Sequence, residues 1–191
     1  MSVDLEKLAF EWMSANPEEA QKESEYYCPT RDIFQARLEK MTRNLLRENI
    51  VPEEDVYILS AMAGEIGNNS FDHNLGKWPD VIGIFFGYEI LGGKIKSILA
   101  DRGQGILATL KKVKPELDRE SEAIKTAFLE KISGRAPENR GNGLKFVKEN
   151  IEAKKMHLTF ISGNAKMELN DRMEILEIEN KVQGCLAILS F

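Results

Sequence analysis

The spacing of apolar residues predicts helices first and strands afterwards. Leu5, Leu8 and Trp12 recur at three- and four-residue intervals, which predicts an amphipathic helix that Asn16 and Pro17 end. Behind Thr30, a residue suited to capping, Phe34, Leu38, Met41 and Leu45 follow a four-three-four spacing and predict a second helix. Its stripe can pack on the rest of the chain or meet a copy of itself in a homodimer. A longer helix is expected from Val51 to Asn74, where Pro52, Glu53 and Glu54 suit a helix start and Leu59, Met62, Ala63 and Ile66 form one buried face.

The pattern then changes. VIGIFFGY and KIKSILA flank Leu91-Gly92-Gly93 and predict an antiparallel hairpin whose second strand ends at Asp101. Residues 103 to 131 are mostly helix formers interrupted at Pro115, and ISGRAPENRGNG carries loop signals. LKFVKENIEAK places Leu144, Val147 and Ile151 on one face and predicts a further helix. Three strands are expected at the end: HLTFIS, RMEILEIE beyond a Gly163-Asn164 turn, and CLAILSF after Gly184. Together these elements imply an α+β fold, a two-layer sandwich of a mostly antiparallel mixed sheet with helices on one face. Residues 1–49 are expected to form a helical N-terminal arm.

With 191 residues, 42% of them apolar, the chain is long enough for one domain with its own core. Acids near the amino terminus and the lack of about 18 consecutive apolar residues argue against a secretory signal or membrane span, so a cytoplasmic protein is expected. Cys28 and Cys185 match no metal spacing and are expected as reduced thiols, and only two histidines leave little for a zinc site. A net charge of −5 provides no electrostatic footprint for nucleic acid. The basic run Lys111, Lys112, Lys114 is read as solvated surface.

Three short stretches carry candidate chemistry. Glu65, Asn69, Asp72 and His73 fall along one margin of the Val51–Asn74 helix, while Asn68 points away. A carboxylate and an amide one turn apart can handle a metal or a water; they are equally the polar border of a packed helix. Asp101-Arg102-Gly103-Gln104-Gly105 ends a strand, where a carboxylate can accept a hydrogen bond from an exocyclic amine and glycines let backbone approach a flat ring. Gly103, Gly105 and Ala108 also match G-x-G-x-x-A, but a dinucleotide fingerprint needs a parallel βαβ unit and an acid closing a second strand, and residues 118 to 130 look helical. Arg140-Gly141-Asn142-Gly143-Leu144 opens a helix, a place where free N–H groups and the helix dipole favour anions. It is not a Walker loop.

In this order the three stretches resemble the N, G1 and G2 boxes of the GHKL ATPase superfamily, which groups gyrase, heat-shock chaperones, histidine kinases and MutL. The resemblance covers about residues 50–191 and implies the Bergerat sandwich, with residues of about 106–140 as a lid over ATP. It implies Asn69 on Mg²⁺, Asp101 on the adenine amino group, and Gly103 and Gly105 beside the base. Arg140, Gly141, Asn142, Gly143 and Leu144 fall around the phosphates, and Glu65 takes the general-base position of the anti-sigma serine kinases and the ATPase members. His73 is placed as in the histidine kinases, yet no phosphoacceptor histidine precedes the domain. Phe128 is the lid's only aromatic residue, and Gly184-Cys185 stands where the family often has Gly-Thr. The implied function is a stand-alone Mg-ATP domain in signalling, either an ATPase or a serine/threonine kinase acting on a protein partner. The alternative is a catalytically silent nucleotide sensor.

Overall fold

The computed structural model describes residues 4–20, 24–130 and 143–191. Arg140, Gly141 and Asn142 lie outside the described residues, as does the expected lid beyond residue 130. Helix α1 (Leu5–Ser14) is followed by the short strand β1 (Tyr27–Cys28), α2 (Arg31–Glu48) and α3 (Glu53–Asn74). A hairpin of β2 (Ile84–Leu91) and β3 (Lys94–Asp101) leads to α4 (Gly105–Leu110), α5 (Glu120–Leu129) and α6 (Gly143–Lys154). The chain ends in β4 (His157–Leu169) and β5 (Met173–Ser190). The fold is α+β, and its five strands lie in the order β1-β2-β3-β5-β4 with each pairing antiparallel. Among the described residues no helix is long and apolar enough to cross a membrane.

Local chemistry explains most of these boundaries. Asp4 and Thr30 each accept a hydrogen bond from a backbone N–H three residues on, capping α1 and α2. Gly92 and Gly93, both at positive φ, make the two-residue turn that pairs Leu91 with Lys94.

The strands are apolar on both faces, and the two faces take different helices. Ile84, Phe86, Ile95, Leu99, Leu158, Phe160, Ala187 and Leu189 face a core shared with α2, α3, α5 and α6. Their alternate neighbours Phe85, Ile98, Ala100, Ile161, Leu186 and Ile188 face Leu5, Ala9, Trp12 and Met13 of α1. The two-layer sandwich therefore carries α2, α3, α5 and α6 on one face, while α1, from the expected N-terminal arm, covers the second apolar face, which water would otherwise meet.

The described residues of the expected arm, 4–20 and 24–49, pack on the body, one of the two uses expected of its stripe. The stripe of Phe34, Leu38, Met41 and Leu45 is buried against α3 within the chain, so it is not available as a dimer seam. Gly64 and Gly67 let the two helices approach closely; a Cβ on Gly67 would sit 2.2 Å from the Phe34 ring. β1, which polar surroundings conceal in the sequence, pairs with β2.

The chain ends in two long strands, not three short ones. Gly163-Asn164 is an irregularity inside β4, and the reversal comes later, at Asn170 to Arg172. RMEILEIE and CLAILSF belong to one strand, with Gly184 at φ +80°. Gly163 pairs with Val182 and Ala165 with Glu177, which leaves Ile178 to Lys181 outside the pairing as a bulge.

Candidate functional site

Strand periodicity decides what Asp101 and Arg102 do. Ile95, Ser97 and Leu99 point to the α3 side of β3, and Asp101 continues that row where the apolar residues run out. Asp101 is 3% exposed; its Oδ2 accepts from Ser70 Oγ on α3 at 2.7 Å and its Oδ1 from the Gly103 N–H at 2.8 Å. Burial pushes its carboxyl above the ordinary value, against the hydrogen bonds from Ser70 and from the Gly103 and Cys185 N–H groups. Cys185 is its register partner on β5, and burial together with the Asp101 charge raises that thiol well above its ordinary value. The thiol is therefore protonated and not a nucleophile.

Arg102 belongs to the opposite row, with Ile98 and Ala100, and turns toward α1. Its Nη1 donates to the Trp12, Met13 and Ala15 carbonyls at 2.8 Å each, while Nε and Nη2 hold Asp80. The guanidinium thus neutralises the negative end of the α1 dipole. One residue step separates a carboxylate aimed at α3 from a cation clamping α1.

Beyond β3 the chain is pinned by Asn74, the last residue of α3. Its Nδ2 donates to the Ser70 carbonyl and its Oδ1 accepts the Gln104 N–H, both at 2.8 Å. A Cβ on Gly103 would lie 2.0 Å from Asn74 Nδ2, so this glycine is required by packing. Gly105 adopts φ +78°, and the next N–H, of Ile106, donates to the buried Ser162 Oγ at 3.0 Å.

These contacts enclose a small cavity of about 40 Å³ lined by Asn69, Ser70, His73, Asp101, Gly105 and Leu144, among others. Four expected site residues from three separate stretches meet there: Asn69, Asp101, Gly105 and Leu144. Gly143 opens α6 beside it, and a Cβ at that position would be 3.5 Å from Asn69 Nδ2 and 2.4 Å from Glu65 Oε2. Glu65 is exposed and stands at this rim, outside the cavity lining. Gly103 lines a different and larger space, a cleft of about 560 Å³ behind the 103–105 turn. Asp72 turns to Arg31, and Asn68, as its angular position implies, points elsewhere and accepts from Gln35.

Ser70 and Asn74 were not legible as site residues, and Cys185 was marked only by the resemblance, as the residue in the place of a threonine. Ser70 directly follows Asn69, and Asn74 stands four residues beyond Ser70, a spacing that allows a side chain to reach the carbonyl of the previous turn. No protein-family model matches this chain, and no curated protein matches it either.

Proposed function

We propose that the chain binds Mg-ATP in the cavity between α3, the 101–105 turn and the start of α6, as a histidine-kinase-like ATPase or protein kinase of the GHKL type. The observation that carries this reading is the convergence of Asn69, Asp101, Gly105 and Leu144 on one cavity in the order that the resemblance implies. The buried Asp101 carboxylate retains acceptor capacity for an exocyclic amine, and Phe160, Ile66 and Ile106 provide apolar walls for a base. Hard oxygen donors suit Mg²⁺, and Asn69 with the nearby Glu65 supplies them where Gly143 leaves space. The metal, when bound, neutralises phosphate charge. Asn69 holds it in place, Asp101 orients the base, and Glu65 accepts a proton from a water or a partner's hydroxyl.

The cavity is small beside the roughly 300–1,000 Å³ of ordinary ligand sites, so a base must displace part of its wall. Helix α4 is suited to that movement because none of its residues is buried.

Calorimetry tests the reading. Wild-type protein binds Mg-ATP, and Asp101→Asn weakens that binding by about 1.5–3 kcal/mol through loss of a charged hydrogen bond. No heat of binding in the wild type, or equal affinity in the variant, would reject the nucleotide site. The position of Glu65 outside the cavity lining favours a second reading, the catalytically silent sensor. γ-Labelled Mg-ATP, alone and with cell extract, separates the two: label reaching water or a protein supports turnover, and label that stays on ATP supports the sensor.

A further inference from the structure

Two helices contribute to the wall of the small cavity: His73 and Asn74 stand at the end of α3, and Gly105, Ile106 and Thr109 on α4. They are anchored differently. α3 is packed into the core through Leu59, Met62, Ala63 and Ile66, whereas α4 buries no residue, Ile106 being only partly covered. Of the two walls, α4 is the one that gives way at the smaller loss of apolar contact.

Gln104 immediately precedes α4 and ties it to α3. Its backbone N–H donates to Asn74 Oδ1 at 2.8 Å, and its side-chain Nε2 donates to the His73 carbonyl at 2.7 Å. That carbonyl lies in the last turn of α3, where helices take hydrogen-bond donors from outside. The other end of the same amide accepts: Oε1 takes a hydrogen bond from Lys112 Nζ at 3.0 Å, two residues beyond α4. One primary amide thus reaches from the α3 side of the cavity to the far end of the helix that forms another side. The Ile106 N–H, bonded to the buried Ser162 Oγ at 3.0 Å, adds a tie to β4. With these ties in place the cavity measures about 40 Å³, too small for a base.

We propose that α4 is a gate over this cavity and that the Gln104 side chain is its latch, holding the gate shut until a ligand enters. The identity of the ligand rests on the nucleotide reading above, whereas the latch does not. Opening breaks the side-chain contacts of Gln104, so the apparent affinity of any occupant is lowered by the small share of open molecules. A weakened latch therefore tightens binding, the opposite of what damage to a site does.

Two variants of the full-length chain test this. Gln104→Ala removes the amide, and Gln104→Met keeps its length while removing the donor to His73 and the acceptor for Lys112. Hydrogen exchange followed by NMR without nucleotide reads the Ile106 N–H, whose bond to Ser162 must break when α4 leaves. Exchange at Ile106 is expected to be about fivefold faster in both variants, the worth of one hydrogen bond, with the amides of β3 unchanged. Calorimetry is expected to show Mg-ATP bound about fivefold more tightly by both variants than by wild type. Unchanged exchange at Ile106, an Ile106 amide already unprotected in wild type, or Ile106 and β3 accelerating together would each overturn the latch. So would Mg-ATP binding in wild type that is equal or weaker in the variants. Faster exchange confined to α4, with no heat of Mg-ATP binding in any of the three proteins, supports the latch and rejects the nucleotide reading.

Discussion

Ser70 on α3 donates its hydroxyl hydrogen to Asp101 Oδ2 across 2.7 Å, joining the helix that carries Asn69 to the strand end that carries the buried carboxylate. This is the only side-chain hydroxyl on that carboxylate among the described residues; with the Gly103 N–H it orients the group and favours its charged form, against the larger effect of burial. Ser70→Ala is expected to weaken Mg-ATP binding by about 1 kcal/mol, the usual net worth of one hydrogen bond, with little change in fold. Calorimetry beside circular dichroism checks both parts.

Asp101 itself costs the fold stability. Its folded pKa lies above the unfolded value, so the native state holds the proton more tightly and stability falls as pH rises between the two values. Above that window the buried charge has no cationic partner among the described residues. Asp101→Asn is therefore expected to raise the melting temperature at neutral pH while it weakens nucleotide binding, and the gain should shrink on acidification. A lower melting temperature in the variant at pH 7 would count against an ionised Asp101.

The Arg102 clamp predicts a different failure. Removing the guanidinium leaves the partly buried Asp80 without its cation and three carbonyls at the end of α1 without a donor. Arg102→Ala should destabilise the protein by about 3 kcal/mol, the lower end of the cost of breaking a buried pair, because Asp80 keeps some contact with solvent. Because the lost bonds end on α1, Trp12 should become exposed before the rest unfolds, seen as a red shift of its emission at low urea. Acid should act on the same joint. Burial raises the Asp80 carboxyl, but the hydrogen bonds from Arg102 and from the Val81 N–H, with the Arg102 charge, outweigh it and hold the pKa below the ordinary value. The stability Asp80 contributes is present above the unfolded pKa and is lost as pH falls through the folded one.

Gly67 marks where α2 and α3 are closest. A methyl group there meets the ring of Phe34, which is fully buried and wedged between Phe71 and Phe86. Gly67→Ala should cost about 1–3 kcal/mol of overpacking, despite the better helix propensity of alanine. Denaturant unfolding measures it; a variant as stable as wild type would mean that Phe34 has room to turn.

Local pattern alone reached much of this architecture. The stripes of α1, α2, α3 and α6, the cap at Thr30 and the Gly92-Gly93 hairpin depend on neighbours a few residues apart, so their physics is written in the sequence itself. The resemblance, through the order of its three stretches, also groups Asn69, Asp101, Gly105 and Leu144, which line one cavity. What folding in three dimensions decided is everything that depends on partners far along the chain. Strands apolar on both faces do not say which helix covers which face, so the place of α1 and the role of Arg102 could not be read. The merging of the last three strands into two depends on Val182 finding Gly163 and Glu177 finding Ala165, a choice of register that short runs leave open. Ser70, Asn74 and Cys185 acquire their meaning only because α3, β3 and β5 bring them within hydrogen-bond or pairing distance of Asp101 and its turn.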